Sequence, residues 1–461
     1  MTTRRTFIRN SALGVAAAAA PAVVYATPEN SASIKETGKM KAGIAREIIT
    51  PKLGGYLAGY GSDKVSTSVH DDVTVTALAI ECGTTKVMFM SVAVCVIGTD
   101  FATKMRTMCG EAAGIPAANV IYASMHTHSG PVFTDEYTNQ ILIPRCVAAA
   151  KGAVKDMKPV TVGIATTESK IGINRRKLLA NDEVVLGQNP WAPYDSQMTV
   201  ISFKGDDGKP VANIVHFGAH PTAAGTNTEI SRDWPGVMID RLEKESGGMT
   251  MFLLGLHGDV APRIANGGSD GGRPGNIRYA MEVGGLAALD AVRAYKDIRG
   301  LRNEDLSVVT GVIAIPYAPL IPLEEARKEL AKLQAGTQER FTETNIDVLK
   351  KNIEAHEKGQ TEGSFTYDQT LIKLGPVVFI PVPFEASTEI SMRLRTYSKH
   401  GYTLGLGCAN GYNSYLPTRD QIPRGGYEID RFQWSGARQL ADNADMHLIA
   451  ENLKLLGKFE L

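Results

Sequence analysis

The sequence predicts an α/β fold in which mixed β-sheets are flanked by helices and a metal site lies at strand C-terminal ends. Three observations lead there. Apolar, β-rich runs alternate with helical patterns along most of the chain. Imidazole and other polar groups cluster where the apolar runs stop. No repeat, heptad pattern or long linker breaks the chain into smaller units.

The elements follow in order. Residues 1–26 read as a twin-arginine export signal: Arg4 and Arg5 are followed by Phe7, a short Ala-rich apolar stretch and small residues at Val24 and Ala26. The Ala-rich run contains Pro21 and is too short for a span of about 20 residues. Residues 27–461 are expected to form a single catalytic domain. "KVMFMSVAVCVIG" (86–98) reads as a fully buried strand, and "FATKMRTMCGEAAG" as a helix closed by glycine. "NVIYASM" is the next strand and leads into "HTHSGP". "ILIPRCVAAAKGAVKDM" reads as helical despite Pro144.

"VTVGIATTES", "MTVISFK" and "VANIVHFGA" read as strands, the last leading to His220. "WPGVMIDRLEKE" has proline in its first turn and Asp233 placed to cap it. "MTMFLLGL" is a buried strand that runs into "HGDVAPR". The glycine-rich "ANGGSDGGRPG" (265–275) reads as a surface loop or lid. Residues 318–358 read as a pair of charged amphipathic helices, 365–382 as strands, about 385 onward as a helix, 402–408 as a strand, and 434–456 as a final helix.

Composition narrows the function. Without Arg4, Arg5 and Arg9 the chain carries 46 basic against 49 acidic residues, a net charge near −3. That gives no strong basic field, so nucleic acid is not an expected partner. No later segment is long and apolar enough to be a transmembrane span, and the expected location is periplasmic or secreted. The five cysteines, Cys82, Cys95, Cys109, Cys146 and Cys408, are scattered in apolar runs and read as buried thiols.

The candidate site residues sit at element ends. In an extended chain His126 and His128 share one face about 6–7 Å apart, so a single ion is easily reached by only one of them. His220 precedes Pro221, Glu385 stands at a strand-to-helix junction, and Tyr415 follows another strand. Two imidazoles and a carboxylate form a common catalytic-zinc set with a position left for water or substrate. His257 reads either as an aid at the edge of the site or as a hydrogen-bonded strand-end histidine. Asp259 reads as a residue that orients its loop or a ligand histidine. Asp71 reads as a support to the site or a surface carboxylate, and His356, His400 and His447 as surface residues.

Several motifs occur in one order: "GIAREIITP", "HTHSGP", "GINRR", "AHPT" with a downstream "RDWPG", "GDVAPR", "PFE…RLR" and "NGYNSY". From about Ala42 to about Tyr415 this resembles the catalytic domain of neutral/alkaline ceramidases. The resemblance implies a zinc-dependent amidase fold with Zn2+ on His126, His220, Glu385 and Tyr415. It also implies that Arg175 helps hold substrate, and it leaves His128 beside the metal as a proton carrier. Two departures stand out. The family's "GDxSP" serine is replaced by Ala261, and the family's C-terminal β-sandwich domain is not expected within this sequence. Arg263 adds positive charge where the family pattern has asparagine, which suits an anionic or hydroxyl-rich substrate.

Metal-assisted hydrolysis needs no serine, because zinc lowers the pKa of bound water to about 7. The expected function is therefore an exported zinc hydrolase acting on an amide or ester, with a small-molecule, lipid or oligosaccharide substrate. Two alternatives stay open: a hydrolase or lyase on an acidic glycan using the same zinc site, and a non-catalytic lipid- or glycan-binding relative. Fold resemblance does not choose among them.

Overall fold

A computed structural model of the chain describes residues 39–60, 64–264, 275–300, 302, 304–337, 342–434 and 438–460. The proposed export signal and residues 265–274 of the glycine-rich loop lie outside the described residues. The described part is a four-layer stack of helices, sheet, sheet and helices, with one apolar core in each of the three gaps.

The larger sheet has eight strands. Their spatial order is Met249–Leu254, Pro210–Phe217, Gln197–Gly205, Lys158–Glu168, Lys41–Ile48, Thr74–Cys82, Thr85–Val92 and Val120–Ser124. The outer pairs at both ends, Pro210–Phe217 with Met249–Leu254 and Thr85–Val92 with Val120–Ser124, are parallel; the pairs between them are antiparallel. The second sheet orders Leu306–Pro316, Ser364–Leu374, Val377–Pro381 and Tyr402–Leu406.

The period of two places side chains in separate cores. Ala77 and Ala79 face the helices, whereas Leu78 and Ile80 face the second sheet. Phe89 of the large sheet meets Phe379 of the second with ring centroids 4.8 Å apart. The strands buried on both faces read as unbroken apolar runs for this reason.

The helices Thr99–Ala113, Ile143–Lys155, Asp233–Ser246 and Ile277–Asp297 cover the large sheet. Thr388–Tyr397 and Ala444–Leu456 cover the second. The expected helical pair is Leu323–Ala335 and Thr342–Glu357. Before Pro144 the helical run widens into a π turn over Thr138–Leu142, where the proline ring cannot supply a regular backbone donor. No helix among the described residues is long and apolar enough to cross a membrane.

Several expectations need correction. The strand expected over 86–98 ends at Val92, because the chain then turns to offer carbonyls to the "HTHSGP" segment. The last helix, expected over 434–456, begins only at Ala444 and runs to Leu456, and a separate helix, Tyr427–Trp434, precedes it. Glu385 belongs to a short strand, Phe384–Ala386, and the helix starts at Thr388. His356, His400 and His447 are half-buried rather than surface residues, and His356 Nε2 holds the Ile321 carbonyl at 2.8 Å.

Candidate metal centre

The centre forms where the two sheets and a small parallel pair meet. Phe384–Ala386 pairs with Ser414–Leu416 in a register that sets Glu385 opposite Tyr415. The strand Val120–Ser124 ends just before His126, and Pro210–Phe217 ends just before His220. Beyond Met249–Leu254 the chain reaches His257. Gly258 makes the last approach possible, since a Cβ there would run into the Glu385 carbonyl.

His126, His220, His257 and Glu385 are all buried, and each offers one ligand atom within 4.8 Å of every other. Each imidazole is fixed by a backbone carbonyl. His126 Nδ1 is 2.7 Å from Cys95 O, His220 Nδ1 is 2.8 Å from Val260 O, and His257 Nδ1 is 2.9 Å from Gly255 O. A carbonyl oxygen only accepts, so each Nδ1 carries a proton, and in the neutral ring each Nε2 presents a lone pair. Three lone pairs and a carboxylate thus converge, a set of acceptors that calls for a cation. This is also the outer-sphere arrangement that orients metal-bound histidines.

Glu385 Oε2 lies 2.9 Å from His220 Nε2 and 3.5 Å from His126 Nε2, while Oε1 accepts from the Tyr412 hydroxyl at 2.9 Å. Burial alone would raise the Glu385 carboxyl, but a protonated His126 and the contacts to both imidazoles hold it well below the usual carboxylate range. Against the pull of burial, Glu385 in turn pushes His126 well above its ordinary pKa, so the carboxylate draws a positive charge into the cluster. Burial, and then the nearby Arg175, pulls His220 down to about 4.

His126 itself has a left-handed backbone, φ 64°. The extended geometry expected for "HTH" therefore fails at its first histidine. The turn brings the rings together, with His126 Nε2 and His128 Nε2 3.3 Å apart instead of the 6–7 Å of a strand. His128 is half-buried and packs edge-on to Tyr60 with centroids 4.9 Å apart. Desolvation and its two cationic-capable neighbours, His126 and His220, push His128 well below its ordinary pKa. It is a neutral imidazole at the rim of the cluster.

Arg175 is the hub of the polar wall. Its Nη1 is 3.1 Å from His220 Nε2, its Nη2 donates to the Tyr415 hydroxyl at 3.0 Å, and its Nε donates to Glu428 at 2.7 Å. Arg176 donates to the other Glu428 oxygen at 2.8 Å, so one buried carboxylate fixes both guanidinium groups. Burial raises the Tyr415 phenol well above its ordinary pKa, with Glu385 adding to the effect.

The loop residues are placed as supports. Asp259 accepts from Thr388 N at 2.8 Å, Gln421 Nε2 at 2.9 Å and Asn174 Nδ2 at 3.2 Å, and its carbonyl accepts from Arg175 N. It ties the strand of Arg175 to the helix that follows Glu385. Ala261, in the short strand Val260–Pro262, pairs with Ile173 of the antiparallel strand Gly172–Leu178. The Arg263 guanidinium donates to the carbonyls of Lys170 and Gly172, so it straps two strands together. Asp71 accepts from the backbone N and the Nε of Arg232, steadying the "RDWPG" segment.

Asp233 does not cap its helix in the expected way. With φ 56° it turns its carboxylate onto Ala223 N, Ala224 N and Trp234 N, and Trp234 Nε1 then holds the His220 carbonyl at 3.0 Å. Burial raises the Asp233 carboxyl from 3.8 to about 6 against those three N–H groups. A raised acid keeps its proton longer when folded, so its contribution is most favourable below the unfolded value and is lost as pH rises through about 6. Between pH 4 and 7 the urea-unfolding stability of wild type should therefore shift against Asp233→Asn by up to about 3 kcal/mol. A difference independent of pH would contradict this.

The sequence reading did not single out Tyr412, Glu428, Trp234 or the Cys95 carbonyl. Tyr412 carried a signal, being in the same "NGYNSY" motif as Tyr415. Glu428 carried none, since it shares a short helix with Asp430 far along the chain. The five cysteines are buried thiols outside any disulfide, as expected.

No protein-family model matches the chain, and no curated protein matches it in sequence. Solved structures do match. The chain superposes on the crystal structure of neutral ceramidase from Pseudomonas aeruginosa with a TM-score of 0.67 at 18% identity, covering 91% of this chain and 73% of that one. It superposes on a ceramidase complexed with C2 with a TM-score of 0.68 at 17% identity, covering 92% and 75%. The chain has the neutral ceramidase fold.

Proposed function

We propose that the protein is an exported, zinc-dependent hydrolase that cleaves an amide or ester. The observation that carries this reading is the convergence of His126, His220 and Glu385, with every Nδ1 already committed to a carbonyl. Such a donor set fits zinc, which takes imidazole nitrogen and carboxylate oxygen. Bound there, zinc supplies Lewis acidity and a nucleophilic water near neutral pH. Tyr415 shares this site with Arg175.

The side chains around that centre divide the remaining work. Arg175 and Tyr415 stand ready to donate to the oxygen of the scissile group, where negative charge develops. His128, neutral and half-buried, carries a proton from the attacking water to the leaving group. Asp259 and Glu428 keep the donors aimed. Residues 1–26 act as the twin-arginine signal, and residues 27–461 form the catalytic domain in the periplasm or outside the cell.

Alanine at 261 supports a second reading, in which the same centre cleaves an acidic glycan. The test is product analysis of the mature protein on N-acylsphingosine and on acidic polysaccharides, with and without a zinc chelator. Chelator-sensitive fatty-acid release favours the first reading; chelator-sensitive oligosaccharide release favours the second. Activity unaffected by chelation would exclude both. Ala261→Ser is expected to raise N-acylsphingosine turnover less than about tenfold, because a hydroxyl helps only when acyl chain and headgroup are already held in line. Its carrier residue is paired in a strand opposite Ile173, which constrains where a hydroxyl would point.

A further inference from the structure

We infer that His257 is a direct ligand of the bound metal, completing a set of three imidazoles and one carboxylate with His126, His220 and Glu385. This rests on the zinc-centre reading above and sharpens it, since it adds His257 to the ligands named there.

Four observations lead to it. The His257 ring lies 4.5 Å from His220 and 5.0 Å from His126, centroid to centroid, and it belongs to the one four-residue convergent group among the described residues. Its Nδ1 donates to Gly255 O, which turns the Nε2 lone pair toward the other acceptors. That Nε2 has no hydrogen-bond partner and the residue is fully buried. An unpartnered buried acceptor is costly, and unlike the buried His216, which also leaves one nitrogen unpaired, His257 places its free nitrogen among the ligand atoms of His126, His220 and Glu385. Finally, the backbone closes on the ring: a Cβ at Gly407 would sit 2.8 Å from His257 Nδ1, so the imidazole is held in place.

His128 is the rival for this position. Its Nε2 is close to His126, but it stands outside the convergent group of four and is only half-buried beside Tyr60. A group at the rim, outside that convergence, is suited to proton transfer. One that is buried with its ring locked is suited to ligation.

The test uses the full mature protein. X-ray absorption of the zinc-loaded wild type should count three imidazoles, and His257→Gln should count two. Zinc affinity, measured by competition with a chromophoric chelator, should fall by more than about 100-fold in His257→Gln, beyond the roughly 10–100-fold expected for a residue that only supports a ligand. The electronic spectrum of the cobalt-substituted protein should change in His257→Gln. Circular dichroism of the metal-free forms checks folding, and the imidazole count on wild type stands even where a variant does not fold. Two imidazoles in wild type, or an unchanged affinity and cobalt spectrum in His257→Gln, would overturn the inference while leaving the zinc centre intact. Failure of wild type to bind zinc or cobalt would overturn both.

Discussion

His126→Ala and His220→Ala should each weaken zinc binding by more than about 100-fold and lower kcat/KM by a factor on the order of 10³ or more. Both residues are buried with their Nδ1 atoms tied to carbonyls, so no rearrangement replaces the missing nitrogen. His128→Ala should behave differently, keeping most of the metal while losing about 10²- to 10⁴-fold in rate. The reason is not distance along a strand, because the left-handed turn at His126 brings the two Nε2 atoms within 3.3 Å. It is that His128 lies outside the four-residue convergence and faces the rim. Metal analysis alongside steady-state kinetics separates the two behaviours. Equal metal loss in the His126 and His128 variants would make both of them ligands.

Arg175→Gln should lower kcat/KM by about 10²- to 10³-fold with zinc still bound, the range seen when one donor to a developing oxyanion is removed. Its guanidinium is buried and spans His220, Tyr415 and Glu428 at once. Glu428 keeps Arg176 as a partner in the variant, so the fold should survive. Arg175→Lys should not restore activity, since an ammonium cannot reproduce a planar fork serving three groups. Zinc content should stay the same or rise, because a fixed cation 3.1 Å from His220 Nε2 is removed. Loss of zinc together with activity would move Arg175 from substrate binding to support of the metal site.

Much of this site was legible because its residues end apolar runs. His126, His220 and Glu385 stand where strands stop, and a strand end in an α/β domain is where side chains are free to converge. The buried strands and covering helices were legible for the same reason, since both rest on local periodicity. What escaped depended on tertiary neighbours. The left-handed turn at His126 is fixed by bonds to Val94 O and the Ser124 hydroxyl, not by any turn-forming residue. Asp233 stands where a helix cap belongs, yet its carboxylate is drawn to the loop after His220. Glu428 meets Arg175 across 253 positions of sequence, and nothing local marks it. His257 had two open readings because its role depends on which groups its Nε2 faces, and that is settled only by packing.

The central claim is that the buried histidines and Glu385 hold a metal ion, and elemental analysis of the mature, untagged protein tests it most directly. The arrangement predicts about one zinc per chain, retained through dialysis and lost on chelation together with activity. A protein purified without any transition metal, and unable to take up zinc or cobalt afterwards, would contradict it.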